Sequence, residues 1–161
     1  MKKLSMMLFV VALLGASSAA AVPTRQEIGT AHLQPIDQSR IRARINFLDS
    51  GPPLNRLVVI GTALGMNPRQ TYATLVYDTG SAITGPLACL PSAFPSPLTS
   101  DQMLVGFWKV SIAGVGRLFA VKTGASYVPL DEIGAASVRL VVGPPPDGFI
   151  LQSCGAVRPN L

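Results

Sequence analysis

The residues able to do chemistry are few. Asp78-Thr79-Gly80-Ser81 places an aspartate at the start of a tight polar turn, after the apolar pair Leu75-Val76. Two such aspartates sharing one proton can activate a water for hydrolysis. The chain holds a single copy, so the pair would need two chains, with Val141-Val142-Gly143 as the supporting segment. The plainer role is a turn, because Asp, Gly and Ser are ordinary residues where a strand enters a loop. His32 is the one histidine. It has no Cys or His two to four positions away, so it is a surface or capping residue and not half of a metal site. No nucleophile elbow selects a serine to act with it. Cys89 and Cys154 stand 65 positions apart, which excludes a CxxC redox site.

Two further features suit binding. Arg40, Arg42 and Arg44 alternate with Ile41, Ala43 and Ile45, so an extended chain sends the three guanidiniums to one side. Such a stripe can hold phosphates or an acidic partner; its other role is a solvated, charged sheet face. Phe107-Trp108, between Gly106 and Lys109, either presents an aromatic for recognition or packs inward, and packing is the expectation here.

The elements that must position these residues are strands. Arg40 to Phe47 alternates over eight residues, and a helix would scatter its arginines around the circumference. Gly51, Pro52 and Pro53 turn it into Asn55–Leu64, and Asn67-Pro68 turns that into Thr71–Asp78. After a long irregular stretch, Thr79 to Asp101, strand-like runs resume at Gly116–Lys122, Ser126–Leu130, Ser137–Val142 and Phe149–Val157. The triple proline Pro144-Pro145-Pro146 with Asp147-Gly148 forces the last turn. No stretch combines helix formers, helical period and a cap. The expected class is all-β, an antiparallel sandwich or barrel.

The first residues read as a targeting signal. Lys2 and Lys3 precede the apolar run Met6 to Leu14, too short to span a bilayer, and Ala19-Ala20-Ala21 forms a small-residue cleavage site before Val22. The expectation is a signal peptide at 1–21 and one exported domain at 22–161, frayed to about Gln26, with no later membrane-crossing segment. The whole chain carries 13 Lys and Arg against 8 Asp and Glu; without Lys2 and Lys3 the balance is 11 − 8 = +3. These positives are spread thinly, so nucleic acid is not an expected partner. In an oxidising compartment Cys89 and Cys154 pair by default, and a loop of 65 positions is worth about 4 kcal/mol of chain entropy.

Four blocks in order resemble the copper/zinc superoxide dismutases: Ile45-Asn46-Phe47, Gly61 to Gly65 with the Thr71–Asp78 strand, Met103 to Val110, and Gln152-Ser153-Cys154-Gly155. The two cysteines fall where that family has its intrasubunit disulfide. The resemblance implies a Greek-key β-barrel of about eight antiparallel strands. It does not carry the chemistry, which needs six histidines and an aspartate around a redox copper and a zinc. The copper-strand pair reads as Leu75 and Tyr77, or as Thr74 and Val76 in a shifted alignment. The zinc positions read as Leu104 and Phe107, the late copper histidine as Gly143, and the anion-guiding arginine as Leu151. This region is therefore expected to offer no charge, and the chain no metal and no cofactor.

The function expected from the sequence is a non-catalytic exported superoxide dismutase-like module, structural or partner-binding. An envelope protein or an anionic surface is a compatible partner, and a homodimer is compatible as well. The alternatives are a metal-dependent relative with a rebuilt site, and a dimeric aspartic protease using Asp78.

Overall fold

A computed structural model describes residues 26–78, 100–143 and 148–160. The expected signal peptide, Cys89, the turn residues Thr79 to Ser81 and the triple proline lie outside the described residues. Nine antiparallel strands form one sheet: β1 Gln26–Pro35, β2 Arg42–Ser50, β3 Arg56–Leu64, β4 Tyr72–Asp78, β5 Leu104–Phe107, β6 Lys109–Val110, β7 Gly116–Thr123, β8 Ile133–Val141 and β9 Phe149–Pro159. Their order is β5-β4-β8-β9-β1-β2-β3-β7-β6. A one-turn helix, α1 (Ser100–Met103), leads into β5.

The two ends of that order are neighbours in the chain, separated by Trp108 alone. β5 pairs with β4, whereas β6 pairs with β7. One interrupted strand therefore bridges the two edges and nearly closes the barrel, and eight strands result when β5 and β6 are counted together. β4, β5–β6 and β7 lie side by side, and β8 returns to the other flank of β4, which is a Greek key.

Alternation decides which side chains fill the barrel. Ala43, Ile45 and Phe47 of β2 are buried, with Leu33, Leu57, Val59, Leu118 and Val138 from other strands in the same core. At the closure, the Trp108 backbone N–H donates to Tyr72 O (2.9 Å), and its indole Nε1 donates to Thr74 Oγ1 inside the barrel (2.8 Å). A Cβ on Gly61 would come within 2.7 Å of the indole, so that position in β3 must lack a side chain. Beside the closure, the Lys122 ammonium of β7 donates to the carbonyls of Asp101 and Leu104. This ties α1 and β5 to β7 where no ladder joins them. Removal from water pushes the Lys122 amine below its ordinary value, and Asp101 partly offsets this.

Two expected elements differ. Ser126–Leu130 is no strand; 3-10 turns at Gly124–Ser126 and Leu130–Glu132 frame it. The cause is the buried Asp49, which accepts from Tyr127 Oη (3.0 Å) and from the Leu130 N–H (2.8 Å). These bonds draw the segment across one barrel end, where Val128 and Leu130 plug the core. The strand expected from Arg40 begins at Arg42, whose ladder partner is Leu64. Arg40 is exposed before it, and its carbonyl crowds the turn at Gly65, where φ is +82° and an added Cβ would sit 2.6 Å from that oxygen.

Candidate functional site

The outer face of β1, β2, β3, β7 and β6 collects the cations. Arg42 and Arg44 point outward from β2, about 7 Å apart. Register then extends the pattern sideways. His32 pairs with Arg44, Arg44 with Thr62, Thr62 with Arg117, and Arg117 with Lys109. One row crossing five strands thus reads His, Arg, Thr, Arg, Lys. At roughly 4.8 Å per strand, Arg44 and Arg117 stand about 10 Å apart. Arg56 and Arg158 add charge at the margins of the same face, Arg158 as the ladder partner of Thr30.

No Asp or Glu occupies an outward position of β1, β2, β3, β6 or β7. The other described acids lie off this face: Glu27, Asp49 and Asp131 line a hollow at the plugged barrel end with Glu132 next to it, Asp78 ends β4, Asp101 is in α1, and Asp37 is exposed in the β1–β2 turn at the Arg42 end. Of the expected stripe, Arg42 and Arg44 lie on this face while Arg40 sits beyond the ladder; Arg117 and Lys109, not part of the expectation, lie on it too. Strand pairing from β2 to β7 was the missing information, since the two segments are more than seventy residues apart.

Beside the cations the face is apolar. Ile28, Leu48, Val58 and Val121 form one cross-strand row, and Ile60 pairs with Phe119 in the next. Phe119 is 70% exposed, and it lines a depression with Ile60, Phe107, Lys109 and Arg117. Phe107 is 53% exposed while Trp108 is buried. The expected inward packing of the pair holds for the tryptophan and fails for the phenylalanine, because alternation sends neighbours to opposite faces.

The outer face of β4, β8 and β9 holds Leu75 and Tyr77, with Leu104 beside them. Leu75 pairs with Leu104 on one side and with Ser137 on the other. The expectation of a chargeless region is overturned by Arg139, which β8 places opposite Ala73 of β4 and Leu151 of β9. Arg139 is 6% exposed. Its Nε donates to Tyr77 Oη (2.8 Å) and its Nη1 to Phe149 O (3.2 Å), with the guanidinium 5.7 Å from the Tyr77 ring centre. Tyr77 Oη also lies 2.9 Å from Ser137 Oγ. Either oxygen of that pair can donate. Burial pushes the Tyr77 phenol up, more than the nearby guanidinium lowers it, so at neutral pH it stays protonated between Arg139 and Ser137. Sequence reasoning passed over Arg139 because it aligns with no ligand; the signal was a lone charge in the run Ile133 to Val142.

Cys154 lies on this face, 1% exposed and packed with Tyr77 and Ala135. Asp78 is half-buried beyond a bulge, opposite Ile133. Val141, from the segment expected to support it, stands eight residues further along β8, opposite Phe149, or roughly 26 Å away. One chain does not bring the two together. His32 is exposed on β1 beside Arg44. Among the described residues, no three His, Cys, Asp or Glu side chains gather to hold a metal, and no helix is long and apolar enough to cross a membrane. No protein-family model matches the chain, and no curated protein does.

Proposed function

We propose that this chain is an exported, non-catalytic binding module on a superoxide dismutase-like barrel, and that it engages an anionic partner through the Arg42–Arg44–Arg117–Lys109 face. The observation that carries this reading is charge segregation. Six cations share one outer face on which no strand supplies an acid. A sheet face evolved only for solubility carries interspersed signs, and one-sign fields steer oppositely charged ligands. The kinship rests on the four blocks and on a Greek-key closure through the Met103–Val110 block. Export rests on the order of Lys2-Lys3, the apolar run and Ala19-Ala20-Ala21. The proposed Cys89–Cys154 bond agrees with the absence of a free cysteine among the described residues.

Titration of the purified protein with inorganic polyphosphate tests the reading. Binding should be measurable at low salt and weaken steeply towards physiological salt. The triple variant Arg42→Gln, Arg44→Gln, Arg117→Gln should lose it. Unchanged affinity in that variant removes the face from the proposal. Refolding with copper and zinc should give no superoxide dismutation above free metal; chelator-resistant copper that cycles with superoxide would reject the non-catalytic assignment.

A further inference from the structure

The occupant of the cationic face follows from what stands at its end. β6 and β7 are joined by the turn Ser111-Ile112-Ala113-Gly114, closed by the Gly114 N–H to Ser111 O (2.9 Å). Turns of this kind favour Gly, Pro, Asn, Asp and Ser, yet Ile112 is 97% exposed at the tip. Nothing in the fold uses this side chain. The hairpin is not isolated, because the Met66 N–H donates to Gly114 O (3.1 Å), fixing the turn beside the end of β3. There Leu64 is 62% exposed. Two bare aliphatic side chains thus project at the same end of the barrel.

Cations lie behind Ile112 and beside Leu64. Lys109 and Arg117 face each other across the base of the Ile112 hairpin, and Arg42 is the ladder partner of Leu64. Arg44 follows two residues further in, and Arg42, Arg44 and Leu64 line one depression. From the tip inward the order is Ile112, then Leu64 level with Arg42, then the row of Arg44, Arg117 and Lys109. A membrane surface has the complementary order when approached from below: acyl boundary, then anionic phosphate. Aliphatic groups seated at that boundary, with Lys and Arg at headgroup depth, are how peripheral proteins hold a leaflet. A soluble polyanion uses the cations and leaves Ile112 and Leu64 idle. An acidic protein partner would need its own apolar pocket for a protruding tip.

We infer that the partner is an anionic lipid bilayer, which the barrel contacts end-on, with Ile112 and Leu64 entering the headgroup region and Arg42, Arg44, Lys109 and Arg117 on the phosphates. This rests on the anion-binding reading above and adds the identity of the surface.

Vesicles of phosphatidylcholine, with and without phosphatidylglycerol, supply the probe, and co-sedimentation of the full protein is the readout. The protein should sediment with the phosphatidylglycerol vesicles and far less with phosphatidylcholine alone. Ile112→Ser should weaken this about ten-fold and leave polyphosphate affinity unchanged. The Arg42→Gln, Arg44→Gln, Arg117→Gln variant should weaken it about a hundred-fold, at roughly five-fold per charge near an anionic leaflet, and should lose polyphosphate too. Ile112 touches no core residue, so its variant keeps the parent circular dichroism. Polyphosphate binding without vesicle binding overturns the bilayer and leaves the anion-binding face standing. Vesicle binding untouched by Ile112→Ser overturns the end-on contact. Binding to neither probe overturns both proposals.

Discussion

Barrel closure depends on one buried hydrogen bond whose worth can be measured. Thr74 is fully buried and its hydroxyl receives the Trp108 indole N–H at 2.8 Å. Thr74→Val keeps the shape but leaves the N–H unpartnered, which costs about 2 kcal/mol. Trp108→Phe strands the hydroxyl at a similar cost and opens space where the indole met Gly61 and Gly116, adding roughly 1 kcal/mol. The sum is about 5 kcal/mol. In the double variant neither polar group remains to be stranded, so only the space, about 1 kcal/mol, and the net worth of the lost bond, about 1 kcal/mol, remain; the loss should be about 2 kcal/mol, with a coupling of roughly 3 kcal/mol. Urea unfolding reads these values. Far-ultraviolet circular dichroism is the signal, because Trp108 is the only tryptophan and one variant removes it. Costs that add within ~0.5 kcal/mol would refute the pairing, and with it the account of how β5 and β6 join.

Three other outcomes are expected. Desolvation, helped by the hydrogen bond to Asp49, raises the Tyr127 phenol, and burial raises Tyr77; the unfolded chain then ionises first, so stability held below pH 10.0 falls as pH rises beyond it. Lys122 acts in the opposite sense, so the comparison is Tyr127→Phe against the parent in alkaline melting curves: the variant should show the shallower fall and be about 2 kcal/mol weaker at neutral pH. Arg139→Lys should cost about 2 kcal/mol in urea unfolding, since an ammonium cannot reproduce the fork that bonds Tyr77 and Phe149 at once. Reduction should lower stability by about 4 kcal/mol through the 65-position loop, and mass spectrometry finding both thiols free in exported protein would reject the bond.

Local pattern carried the strands and failed at everything set by distant partners. Ile41 to Phe47 could be read because alternation needs only neighbours, and its inward members are indeed buried. Ser126–Leu130 has similar local character, yet Asp49 claims its hydrogen-bonding groups from a strand some eighty residues earlier. Nothing within five residues announces that. Arg42 and Arg44 were visible as a stripe, whereas Arg117 and Lys109 join them only through the β2–β3–β7–β6 register. Arg139 was hidden for a related reason. Its partner Tyr77 is 62 residues away, and nothing in the local sequence points across the sheet to it.

The closure through Trp108 also limits how anything can bind. An open sheet ends in a strand with free N–H and C=O groups, and partners or further copies can dock there by adding a strand. Here the two nominal ends, β5 and β6, are consecutive in the chain and each is engaged by a ladder on its other side. The part of β7 beyond Arg117 has β5 packed beside it, with the Gly106 position against Leu118 and Ala120 and Lys122 holding the carbonyls of Asp101 and Leu104. Side chains and the Lys122 bonds thus cover this stretch of β7 in place of a ladder. An added strand would have to displace them, whereas side chains on faces and tips can be substituted singly without disturbing the strands.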